Sequence, residues 1–274
     1  MAQFNRDISS TALGAPVSRA EADAIDAGLR AYLLRVYNYM TLGLAVTALA
    51  ALAIYALSAT DDAAAAAKVM RGGVESSVRL TGGLYLTPLG YALFASPLKW
   101  GLILAPLALV FGLSFGIERV PPAVAQLLFW LYAALIGVSL SSVFMIYTHT
   151  SVARVFIITA ASFGALSLWG YTTKQDLAAI GSFLLMGLFG IIIAAFVNLF
   201  LASSALQWVI SVAGVLVFSG LAAWDTQRLK REYIYGAMDG ETAERSAIMG
   251  ALSLYLDFIN LFTVLLQLLG ERED

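Results

Sequence analysis

Two acidic residues stand out for chemistry. Asp225 ends a long apolar run in Gly220-Leu-Ala-Ala-Trp224-Asp225-Thr226-Gln227, and Asp257 interrupts another in Leu254-Tyr255-Leu256-Asp257-Phe258-Ile259-Asn260. If the two runs are neighbouring helices, the carboxyls can meet. Two carboxyls in contact do not both ionise cheaply, so the pair shares a proton. Such a pair is a proton sensor, and the same oxygens offer a hard site to a divalent cation such as Ca²⁺. The plainer reading of Asp225 is a solvated acid at a helix end, because Thr226, Gln227 and Arg228 follow it. The plainer reading of Asp257 is a structural acid hydrogen-bonded to a neighbouring helix. Asn260 and Thr263 fall near the face of Asp257, with Ser253 one turn before it, so this segment has a polar stripe that should face the inside of a bundle. Asn198, Ser139, Ser141 and Ser142 read as polar packing groups between helices. His149, the only histidine, sits beside Tyr147 in a short connection and reads as solvated.

The elements that hold these residues follow from composition. The chain has 274 residues, 60% of them hydrophobic and 12% charged, with a mean hydropathy of +0.83. A soluble domain carries about 25% charged residues. One water-surrounded core cannot take this excess, and a bilayer must. Apolar runs of near-membrane length recur at 36–58, 100–117, 123–147, 152–171, 178–200, 206–227 and 247–269. They predict an all-α integral membrane protein of seven transmembrane helices. A charge at membrane depth is costly and rarely idle, which is why the two aspartates weigh so much. Asp257 lies 11 residues beyond Ser246, roughly 16 Å along a helix and near mid-bilayer.

Pro121-Pro122, Thr172 to Asp176, and Ser203-Ser204 punctuate the runs, and such short connections make neighbouring helices antiparallel. Residues 59–99 form a longer connection with an alanine run, two Gly-Gly pairs and a semi-apolar stretch from Leu84 to Ser96, too short to span. Residues 228–246 are strongly charged and read as solvated. The expected organisation is a polar tail over 1–30, a membrane domain over 31–270 and a short tail over 271–274. Lys and Arg in the connections set orientation. Arg6, Arg19, Arg30, Arg35, Arg119, Lys174, Arg228, Lys230, Arg231 and Arg245 fall on one side. Lys68, Arg71, Arg79, Lys99, Arg154 and Arg272 fall on the other. The bias predicts a cytoplasmic N-terminus.

A net charge of −2 without a basic stripe argues against nucleic acid. The absence of cysteine excludes a disulfide framework, a thiolate metal site and a cysteine nucleophile. No phosphate loop, dinucleotide glycine motif or metalloprotease motif occurs. His149 falls on the wrong side of the membrane to complete a Ser-His-Asp set. No enzyme activity and no resident cofactor are expected. An intramembrane aspartyl protease is disfavoured, since Leu254-Tyr255-Leu256 stands where that class has a glycine-x-glycine motif.

Two segments carry a family resemblance. Ala223-Trp224-Asp225-Thr226-Gln227 and Ala251-Leu-Ser-Leu-Tyr-Leu-Asp257-Phe-Ile-Asn260-Leu-Phe resemble the signature stretches of the Bax inhibitor family, also called the transmembrane Bax inhibitor motif family. Ser96-Pro97-Leu98-Lys99-Trp100 and Gly164 to Tyr171 look like its bacterial members, and the likeness covers about residues 30–270. It implies seven helices with the last one central and six around it. It also implies a proton-sensitive Ca²⁺ leak in the bacterial inner membrane, with Asp225 and Asp257 as sensor, gate and candidate calcium ligands. Arg119 is the residue matching a basic group that supports the pair in bacterial relatives. Helix two departs from some relatives in having no acid between Leu102 and Phe115. The alternative function implied is a membrane interaction protein that modulates a membrane-bound ATP-dependent protease. Its contact surfaces would be the N-terminal tail and residues 228–246.

Overall fold

The computed structural model describes residues 19–71, 74–116, 120–236 and 240–273. Seven long helices carry the fold: α1 (Arg19–Ser58), α2 (Leu98–Gly116), α3 (Pro122–Leu140), α4 (His149–Thr172), α5 (Ala178–Leu201), α6 (Ser204–Tyr235) and α7 (Gly240–Leu269). All but α2 are individually long and apolar enough to cross a membrane. The turn Pro88–Ala95 joins Leu98–Leu113 at a 63° bend, and this pair makes a seventh span if it crosses as one. The Leu84–Ser96 stretch therefore splits, giving first a short strand and then this hook. Pro106 lies inside α2, where neighbours in a bundle can satisfy the freed carbonyl.

The exposed surface is that of a membrane protein. On α5, Phe183, Met186, Leu199 and Phe200 are each more than 70% exposed. Only 6% of the most apolar window of α5 is buried inside the protein, against 56% for α7. The helix expected at the centre is thus the one the others enclose. It packs against α6, α1, α4 and α3. Tyr255 fixes its rotation. The ring meets Phe129 and Tyr132 of α3 edge-on at 5.7 and 5.9 Å, and its hydroxyl bonds Thr47 Oγ of α1 at 2.6 Å. Thr47 Oγ also lies 2.9 Å from the Ala133 carbonyl, so α1, α3 and α7 share one buried polar pin.

Between α1 and the hook, residues 59–87 form two small antiparallel pairs. Strand β1 (Ala59–Thr60) pairs with β4 (Tyr85–Leu86), and β2 (Lys68–Arg71) pairs with β3 (Val74–Ser77). Arg71 lies opposite Val74, so only two glycines separate β2 from β3, the spacing of a tight hairpin. The chain end returns to the same face. Glu271 N–H donates to Ser151 Oγ and Thr148 N–H donates to the Glu271 carbonyl.

The described residues of 228–246 are mostly helix and partly packed, where a solvated connection is expected. Helix α6 runs on to Tyr235 and α7 begins at Gly240. Both extensions are packed: Leu229 and Ala247 are fully buried, and Tyr32 of α1 bonds Ser246 at 2.8 Å while stacking on Tyr233.

Close approach of α4 to α6 depends on Gly170. A Cβ there would lie 2.2 Å from the Ala223 carbonyl oxygen, whereas one at Gly164 would meet nothing within 4 Å. Gly170→Ala should therefore cost about 1–3 kcal/mol through overpacking against backbone. Gly164→Ala should leave stability unchanged or raise it, by the better helix propensity of alanine. Thermal unfolding in detergent checks the pair, and equal midpoints would refute the contact.

Candidate functional site

The segment Asp225-Thr226-Gln227 sends three consecutive side chains to three different neighbours. Thr226 Oγ bonds its own Ala222 carbonyl and meets the Tyr37 hydroxyl of α1. Gln227 reaches the connection between α4 and α5, accepting from Leu177 N–H at 2.9 Å and donating to the Gln175 carbonyl at 2.8 Å. Asp225 turns to α7, where its Oδ2 accepts from Ser253 Oγ at 2.6 Å. Asp225 is 4% exposed, which rules out the solvated helix-end reading. Helix geometry makes this fan unavoidable, since successive residues point about 100° apart.

Asp257 lies one turn beyond Ser253, is 6% exposed, and lines the same cavity as Asp225. The structure thus brings the two aspartates together. Its Oδ2 is buried without a hydrogen-bond partner among the described residues. No third acid, histidine or cysteine joins them in a metal-sized cluster among the described residues.

Among the described residues, the cation at the site is Arg228. Its Nη2 stands 3.1 Å from Asp225 Oδ1 and donates to Ser253 Oγ at 3.1 Å. The contact with Asp225 is ionic in character, because no N–H is aimed at Oδ1, which is left without a hydrogen bond. The guanidinium also lies over the Trp224 ring at 5.0 Å, and Nε is 3.5 Å from Glu232. Gly181 of α5 leaves the space that the Trp224 indole fills. Arg228 follows Asp225 by one turn, at the (i, i+3) spacing of helical ion pairs. That signal was present in the sequence but was outweighed by the dense charge after it. Arg119, the residue matched to the supporting basic group, lies outside the described residues.

Both aspartates face a cavity of about 740 Å³ between α2 and α3 on one side and α5, α6 and α7 on the other. Asn260 and Thr263 line it, as the polar stripe predicts. Neither is shown supporting the acids directly. Thr263 donates its hydroxyl to the Ile259 carbonyl of its own helix. A second cavity of about 320 Å³ lies beside the first, toward the Gly240 end of α7, and contains Glu232. Val110, Arg228, Ser253 and Leu256 line both. Arg228 and Ser253 therefore stand in the partition between two chambers, with Asp225 on the side of the larger. His149 is elsewhere. It opens α4 beyond the N-cap Thr148 and contacts the Tyr55 and Phe144 rings at 5.2 and 5.7 Å.

A helical bundle wrapped around α7, with two buried acids on the wall of one cavity, defines a polytopic membrane protein. The model of the family described as inhibitor of apoptosis-promoting Bax1 matches residues 29–274. The inner membrane protein YbhL of Escherichia coli K12 is 44% identical over 248 residues, covering 90% of this chain and 94% of that protein. A Caulobacter vibrioides protein is 43% identical over the full length of both chains. A Rickettsia prowazekii protein is 42% identical over 91% of this chain and 93% of its own. The chain belongs to the Bax inhibitor family.

Arg228 is only partly screened from solvent, so removing it leaves the Asp225 charge buried with some access to water. Arg228→Met should cost about 1–3 kcal/mol, below the cost for a fully buried pair. Adding Asp225→Asn should restore at least half of that loss, because the orphaned charge goes with it. A double-mutant cycle of unfolding in detergent measures this. A double variant no more stable than Arg228→Met would show that the ion pair is not what holds the cluster.

Proposed function

We propose that this protein is a proton-regulated calcium leak of the bacterial inner membrane, with no chemical step. The observation that carries the reading is that Asp225 and Asp257 are both buried on the wall of the larger cavity, beside the Arg228–Ser253 partition. The titratable groups lining the larger chamber are Asp225, Arg228 and Asp257 from α6 and α7 and Tyr132 from α3; α2 and α5 supply none among the described residues. Glu232 faces Arg228 from the smaller chamber.

Two adjoining carboxyl groups change their net charge with one proton. With a shared proton, the pair holds together by a hydrogen bond and needs one countercharge, which Arg228 supplies. With both protons removed, the carboxylates repel and attract a divalent cation, whose charge matches the pair. A proton thus selects between two packings of the partition, and the ligand shifts populations only through such a difference. Arg228 has Glu232 as a second partner at 3.5 Å, so it can leave Asp225 without being stranded. Calcium is cargo here and not a resident cofactor. The inner-membrane location rests on membership of the family and on the printed name of the Escherichia coli relative. The distribution of Lys and Arg supports a cytoplasmic N-terminus. On that orientation the smaller chamber would lie toward the cytoplasm.

The test is Ca²⁺ flux into liposomes holding the purified protein, from pH 6 to pH 8, beside Asp225→Asn and Asp257→Asn. A pH-dependent flux is expected, and either substitution should flatten the dependence. No flux above empty liposomes across that range would overturn the leak. It would favour the protease-modulator reading, in which both aspartates are dispensable for co-purification with the protease.

A further inference from the structure

The larger cavity does not end at the aspartates. Its lining on α7 reads Ser253, Leu256, Asp257, Asn260, Thr263, Val264 and Gln267, one helical face from the partition to the last turn. On α6 the lining runs from Arg228 back to Gln207. Asp225 and Gln207 are 18 residues apart, roughly 27 Å along a helix, most of a bilayer core.

At that far end the polar groups are tied to one another. Gln207 Nε2 donates to Gln267 Oε1 at 2.7 Å, and Ser211 Oγ donates to the same oxygen at 2.8 Å. Asn198 Nδ2 of α5 donates to Gln207 Oε1 at 3.1 Å, and Asn198 Oδ1 accepts from Ser203 N–H. One hydrogen-bonded chain thus joins α5, α6 and α7 where the cavity meets the Gly270 face. Gln267 is exposed and Gln207 half-buried, and the two point at each other at the edge of the cavity they line.

We propose that the Gln207–Gln267 bridge is a latch at the far mouth of the cavity, governing how water and cations reach the aspartate pair from the Gly270 face. The proposal deepens the leak reading and rests on it for the cation. The latch itself is a statement about access. The amides carry no charge, so they close the mouth without competing with the acid pair for a divalent cation. Releasing Gln267 breaks its bonds from Gln207 and Ser211, each between neutral groups and worth about 0.5–1.5 kcal/mol, small enough for thermal opening.

The absence of cysteine from the chain allows a direct test. Thr263→Cys places a thiol in the cavity, and Thr150→Cys places an exposed reference thiol at the start of α4. A membrane-impermeant methanethiosulfonate reagent is added to spheroplasts. In the Thr263→Cys background, Gln267→Ala and Gln207→Ala should each raise the labelling rate at least tenfold relative to the reference. The double substitution should add little, since both remove the same bond. In liposomes each should raise Ca²⁺ flux several-fold with its pH dependence kept. Labelling rates unchanged by both substitutions would overturn the latch, even if the pH-dependent flux stands. Faster labelling with no Ca²⁺ flux from any variant would keep the latch and overturn the leak.

Discussion

A carboxyl at bilayer depth has to find a proton, a cation or several hydrogen-bond donors, because hydrocarbon supplies none. Asp257 sets this constraint on α7, and much of the bundle answers it. The helix must be central, since any lipid-facing position would leave the acid without a partner. It must approach α6, where Ser253 and Asp225 make the first contact. Helix α6 must continue past Asp225 by at least a turn, because Arg228 supplies the countercharge. The packed extension of α6 to Tyr235 is thus part of the acid site. It continues the bundle beyond the apolar run.

The architecture was largely legible because bilayer thickness forces each span to declare itself as an apolar run. The ends were less so. Apolar content stops near Gln227 and resumes near Ala247, yet helix continues on both sides. Charged side chains on an extended helix look the same in sequence as charged side chains in a loop. Tertiary partners decide between them: Tyr32 on Ser246 and Tyr233, and Leu229 in the core. The small hairpin of β2 and β3 was hidden for a similar reason, as two short strands around a Gly-Gly pair carry little periodic signal.

The acid pair was legible because two acids in apolar runs are rare. Its surroundings were not. Asn260 and Thr263 share the face of Asp257, but a shared face means a shared cavity wall, and Thr263 bonds its own backbone. Arg228 is the reverse case, a residue one turn from Asp225 that joins the site although it lies in a charge-rich segment. Spacing alone gives the direction of a side chain and not its partner.

Two features of α7 divide the labour within the bundle. One face carries Tyr255, Phe258 and Phe262 into aromatic contacts with α3 and α4, and the Thr47 bond holds it to α1. The other face carries the polar stripe along the cavity. Rotating α7 would break the buried tyrosine pin and leave its hydroxyl unsatisfied, a cost of about 1–3 kcal/mol before any loss of packing. A change of charge at the acid pair is therefore absorbed more cheaply by side chains with a second partner than by turning the central helix. Arg228 has such a partner in Glu232. In the proposed leak, the pin would confine any response to protonation to the cavity side of α7, which carries the polar stripe.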